Sequence, residues 1–81
     1  MTETIRTSIG LEEIRVTLTD RQASALRRAE FQLDRADIRV GASLARMGLV
    51  DRWTENAGRE EVNYTVTPRG EKVQEALDKT S

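Results

Sequence analysis

Residues 48 to 70 constrain the fold more than any other stretch of this chain. Val62, Tyr64 and Val66 alternate with Asn63 and Thr65, the period of a strand with one buried face. The pattern predicts strands over Leu49 to Thr54 and over Glu61 to Thr67. Between them Glu55-Asn56-Ala57-Gly58-Arg59-Glu60 is polar and carries Asn and Gly for positive φ, so a hairpin with a mobile tip is expected. Upstream, Gly48 suits the left-handed residue that ends a helix. Downstream, Thr67 is placed to cap a helix and Pro68 to take its first position. That last helix runs to about Lys79 and is expected to bury Val73, Ala76 and Leu77.

The helix that Gly48 ends lies within residues 38 to 47. Val40, Leu44 and Met47 form its inward stripe, and Arg39, Ala42, Ser43 and Arg46 its outward stripe. Gly41 is a poor helix residue, so the helix either spans the whole stretch or begins there and leaves Ile38-Arg39-Val40 extended. Asp34-Arg35-Ala36-Asp37 is a polar break with two candidate caps. Thr19-Asp20-Arg21-Gln22 fits a capping box, in which Thr19 accepts from the third helical N–H and Gln22 reaches back. A helix is therefore expected from Asp20 to about Leu33, with Leu26, Ala29 and Leu33 on its buried face, Ala25 and Gln22 beside them, and Phe31 filling a gap in the core. Ile14, Val16 and Leu18 alternate with Arg15, Thr17 and Thr19, which predicts a short strand. Residues 1–10 lack periodicity and are expected to be a flexible arm. The organisation is an arm at 1–10 and one α+β domain at 11–81: strand, helix, short helix, two-stranded hairpin, C-terminal helix.

A chain of 81 residues holds one domain with a small core. Hydrophobic content of 37% against 33% charged is polar enough that a dimer partner would usefully complete that core. Cysteine and histidine are both absent, which removes disulfides, thiolate metal sites, the cysteine nucleophile and the usual general base. No acidic run has calcium-loop spacing. No metal, no cofactor and no enzymatic activity are expected. No stretch approaches the roughly 20 apolar residues of a membrane span, and no signal segment is visible, so the expected location is cytoplasmic. The formal net charge is -1, from eleven Arg and two Lys against fourteen acids. Arginine forks to phosphate and to guanine edges better than lysine does, although a GC-rich genome produces the same bias. Residues 35 to 69 hold six Arg against five acids, a balance of only +1.

Leu44-Ala45-Arg46-Met47-Gly48-Leu49-Val50-Asp51-Arg52, a loop with Gly58-Arg59, and Tyr64-Thr65-Val66-Thr67-Pro68-Arg69-Gly70 together resemble winged-helix transcription regulators of the MarR and PadR type. Leu18-Thr19-Asp20-Arg21-Gln22-Ala23 is similar to the opening of their first helix. The resemblance spans residues 18 to 77. It implies a small winged helix, double-stranded DNA as partner and a transcriptional-regulator role, with a homodimer supplying two half-sites. Only fifteen residues, 34 to 48, separate Leu33 from Leu49. Two full helices and a turn do not fit at about 1.5 Å rise per helical residue. The positioning helix of a helix-turn-helix is thus expected to be deleted, or reduced to one turn at Asp34 to Asp37. A protein-interaction module on the same fold that binds no DNA, of the kind a phage or mobile element encodes, is the alternative.

Carried over by position, Arg39 and Arg46 would reach guanine edges in the major groove and Ser43 a phosphate. The alternative is a solvated helix face paired with neighbours such as Asp51. Arg59 at the wing tip, with Arg52 and Asn56, resembles a minor-groove or phosphate contact, against which stand Glu60 and Glu61 beside it. Arg35 and Arg69 lie at helix starts, where a cation is unfavourable unless a phosphate arrives. Trp53 is expected either to close the core beneath the hairpin, against Tyr64 or the last helix, or to face solvent as a partner contact.

Overall fold

The computed structural model describes residues 1–56 and 60–79. The chain opens with an antiparallel hairpin, β1 (Thr2–Ile9) and β2 (Glu12–Thr19), turning through Gly10 and Leu11. Ile5 lies opposite Val16 and Thr7 opposite Ile14. Ile5, Ile14, Val16 and Leu18 are buried, while Thr4, Arg6, Arg15 and Thr17 on the other face are exposed. The strand through Ile14, Val16 and Leu18 is as expected. The flexible arm at 1–10 is not: it is the partner strand. Ile5, Thr7 and Ile9 alternate with Arg6 and Ser8, a weak period-2 pattern, and docking against β2 and the C-terminal helix completes the strand.

The first helix, α1 (Asp20–Arg28), starts on the expected capping box. Thr19 N–H donates to Gln22 Oε1 at 2.9 Å and Gln22 N–H donates to Thr19 Oγ1 at 3.1 Å. It buries Ala23, Ala25 and Leu26. It stops at Arg28 rather than Leu33, because Ala29 turns extended and the next residues join the second sheet. Leu33 N–H donates to the Tyr64 carbonyl at 2.8 Å, Val66 N–H donates to the Phe31 carbonyl at 2.7 Å, and Gln32 bridges Thr65. Leu33 is buried as expected, though by this rung and not by a helix face. Phe31 does not fill the core; it is 67% exposed.

A 3-10 helix over Arg35–Val40 runs directly into α2 (Gly41–Arg46). The α-helix does begin at Gly41, but Ile38-Arg39-Val40 is helical and not extended. The stretch ahead of α2 is helical, and it is longer than one turn at Asp34 to Asp37. Six residues at about 2.0 Å rise give it a length of about 12 Å. At Gly41 the chain needs the absence of a side chain: a Cβ there would sit 2.7 Å from Tyr64 Cζ and nearer still to Cδ2 and Cε2. Gly48 has φ +77° and closes α2 as the sequence predicts. Leu49 N–H donates to the Leu44 carbonyl at 3.1 Å and Gly48 N–H to the Ala45 carbonyl at 3.0 Å, a Schellman motif.

The second hairpin pairs β3 (Val50–Asn56) with β4 (Glu60–Val66), with Val50 opposite Val66, Arg52 opposite Tyr64 and Trp53 opposite Asn63. The expected mobile tip falls on 57–59, outside the described residues. Thr67 then caps α3 (Pro68–Lys79), accepting from Gly70 N–H at 3.1 Å and donating to the Gly48 carbonyl at 2.6 Å. Val73 and Leu77 are buried and Ala76 half-buried. One core joins the elements, with Leu18, Leu26, Leu44, Leu49, Val73 and Leu77 fully buried. The protein is a small α+β unit of two antiparallel hairpins and three α-helices.

Candidate nucleic-acid interface

The side of α2 away from the core is built by a simple division. Leu44 is buried and Val40 and Met47 half-buried, so Arg39, Ala42 and Arg46 are left outside. Among the described residues no ion pair holds Arg39, Arg46 or Arg52. Pairing of the stripe with Asp51 is therefore not what the structure contains. Arg52 is exposed on β3, two residues after Val50. Helix and strand are joined directly by the motif around Gly48, with Arg46 on one side of it and Arg52 on the other.

Ser43 does not belong to the outward stripe. It is half-buried, its Oγ donates to the Val40 carbonyl at 2.8 Å, and it accepts from Gln22 Nε2 at 2.9 Å. The hydroxyl is spent on holding α2 to α1. Gln22 thus works twice, completing the capping box with its oxygen and gripping α2 with its nitrogen.

Arg35 is exposed at the start of the 3-10 helix. Arg69, at the start of α3, is ion-paired with Glu12 of β2, so a carboxylate of this same chain already answers that cation. Asn56 ends β3 opposite Glu60, and Arg59 lies outside the described residues. The expected wing-tip cluster of Arg52, Asn56 and Arg59 is described only at Arg52.

Trp53 does not close the core. It is 39% exposed, on the opposite face of the hairpin from Tyr64, and its Nε1–H donates to Thr65 Oγ1 at 2.6 Å. The reason is register. Tyr64, Val66 and Val50 share the inner face, and Trp53, three residues past Val50, falls on the other.

Two functional side chains escape sequence reasoning. Asp37, read as a possible cap, is 6% exposed and takes both bonds of Arg28: Nε to Oδ2 at 3.2 Å and Nη2 to Oδ1 at 2.5 Å. These hydrogen bonds, and then the charge of Asp37, push the Arg28 guanidinium above its ordinary pKa, against a smaller desolvation effect. A fork-to-fork pair of this kind ties the end of α1 to the middle of the 3-10 helix. The second is Arg21, seven residues before Arg28 and on the same face of α1. Their spacing was visible in the sequence, but the element facing them was not.

Among the described residues no group of acidic side chains converges as a metal site would, and no helix is long and apolar enough to cross a membrane. Comparison of the chain with family models, with curated proteins and with solved structures finds no match.

Proposed function

We propose that this chain is a small DNA-binding protein of the transcriptional-regulator kind, a reduced winged helix acting in the cytoplasm as a homodimer. One observation carries the proposal: Arg39 in the 3-10 helix and Arg46 at the end of α2 stand exposed, with no ion pair among the described residues, on two consecutive short helices that lead at once into a hairpin bearing a third such arginine, Arg52. In this reading Arg39 and Arg46 enter the major groove, where a guanidinium pairs with guanine O6 and N7. Arg52 meets the phosphate backbone. Arg35 flanks the reading helix. The order of elements from α1 to α3 and the 3-10 segment ahead of α2 support the winged-helix reading. Weak intrinsic affinity is expected from a net charge of -1, and a second half-site bound by a partner copy would multiply it.

The test is anisotropy of a labelled mixed-sequence duplex at low and then physiological salt. Arg39→Ala with Arg46→Ala should abolish binding and leave the melting temperature within a few degrees, since both side chains are exposed. Unchanged affinity in that double variant sinks the assignment.

Trp53 supports a second reading, a winged-helix module that binds a protein and no DNA. An exposed tryptophan on a polar sheet face is the residue type that anchors interfaces. Its emission should be red-shifted in the free protein and move blue with a partner. Blue-shifted emission from the isolated monomer counts against an interface role.

A further inference from the structure

The face of α1 that carries Arg21 and Arg28 looks across at the 3-10 helix, and a cleft of about 500 Å³ lies between them. Arg21, Arg28, Asp34, Asp37 and Arg39 line it, with Ala36 and Val40 as the apolar part of the wall. The charges are not equivalent. Asp37 is buried and fully engaged by Arg28, so that pair is neutral and fixed. Asp34 is exposed at the mouth. Among the described residues no ion pair holds Arg21 or Arg39, so the donor sets of both guanidiniums are open to a ligand.

The walls are also tied at both ends. At the Arg28 end the fork to Asp37 joins α1 to the 3-10 helix. At the Arg21 end Gln22 Nε2 donates to Ser43 Oγ, which donates to the Val40 carbonyl, one residue from Arg39. The backbone walls that carry these two exposed cations are therefore held apart at a set spacing by a frame that does not need to close. Such preorganisation removes part of the ordering cost of binding. A tetrahedral oxyanion with several acceptor oxygens matches two guanidinium forks far better than a single carboxylate does.

We propose that this cleft seats a phosphate group, gripped by Arg21 and Arg39 and supported by the Asp37-anchored Arg28. Resting on the DNA-binding reading, the phosphate is one of the duplex backbone. Arg21 then supplies from α1 the register-setting contact that the shortened helix-turn-helix would otherwise lack. This places Arg39 on the backbone rather than on a base edge, and the reading of the groove falls to Arg46.

Two measurements separate the cleft from the DNA reading. In the first, Arg Nε–Hε resonances of the full chain are followed with inorganic phosphate at constant ionic strength, against chloride. Saturable shifts of Arg21 and Arg39, with Arg6 and Arg15 still, are expected. Shifts no larger than those with chloride would overturn the cleft as a phosphate site, whatever DNA does. In the second, duplex affinity is measured against salt for the wild type and for Arg21→Gln. Arg21 is exposed and unpaired, so this variant should fold as the wild type does; Arg28 is avoided because its loss strands Asp37. The slope of log K on log salt should shrink by about 1 in Arg21→Gln, the loss of one phosphate contact. An unchanged slope with duplex binding intact overturns the backbone role of the cleft and leaves the Arg46 reading standing. No duplex binding by the wild type, together with saturable phosphate shifts, retires the DNA reading and identifies the cleft as a site for a free phosphate or phosphomonoester.

Discussion

The glycine at position 41 shows how a single residue can carry two opposed effects. In a helix, alanine is favoured over glycine by about 1 kcal/mol. Here the added methyl would meet the ring of Tyr64, which is 6% exposed and hemmed in by the sheet. Overpacking of this kind costs about 1–3 kcal/mol, so the clash should win. Gly41→Ala is expected to lower the urea midpoint, with a net loss of up to about 2 kcal/mol once the helix gain is subtracted. In a Tyr64→Ala background the same substitution should become stabilising, because only the propensity term is left. A destabilising Gly41→Ala in both backgrounds would show that Tyr64 is not what demands the glycine. The sequence marks Gly41 as a weak helix residue, but its reason is a ring 23 positions away in the chain. Asp37 behaves alike: local rules read a cap, and the residue that claims it comes from the preceding helix.

At the scale of elements, what is legible is whatever has a local cause. The capping box at Thr19 and Gln22, the left-handed Gly48, the Thr67-Pro68 start and the alternation of Val62, Tyr64 and Val66 are all decided within a few residues, and all stand in the fold. The misreadings share a non-local cause. No glycine or proline stops α1 at Arg28; the pull of β4 on residues 31–33 does. Thr2–Ile9 has only a weak alternation, with Ile5 and Ile9 as its apolar members, and β2 and α3 complete the strand. The candidate site divides the same way: Arg39 and Arg46 follow from helical spacing, whereas Ser43 turns inward only because Gln22 is there to meet it. If β1 is a docked strand, Ile5→Ala should cost about 2–5 kcal/mol in denaturant unfolding, as burial of a whole side chain demands. A change within about 0.5 kcal/mol, as at an exposed position, would return residues 1–10 to a loose arm.

For the molecule as a whole, the net charge of -1 opposes the proposed DNA partner, and the distribution of charge decides between them. Exposed charges farther apart than about 8–10 Å are screened from each other at ordinary salt, so a phosphate at the α2 face feels its neighbours and not the total. Those neighbours are Arg21, Arg39, Arg46 and Arg52, none held in an ion pair among the described residues. Of the acids, Glu12 is committed to Arg69 and Asp37 to Arg28, while Asp34 shares the cleft with Arg21 and Arg39. With one phosphate in the Arg21–Arg39 cleft and one at Arg52, log K should fall against log salt with a slope of about -1.8. Affinity for a mixed-sequence duplex then drops about 10-fold between about 50 and 200 mM salt. The Arg39→Ala, Arg46→Ala variant, if any of its binding survives at the lowest salt, should show about half that slope. A wild type that binds DNA with a slope near zero would break the link from these arginines to affinity, because counterion release depends on the number of phosphates neutralised and not on the identity of the site.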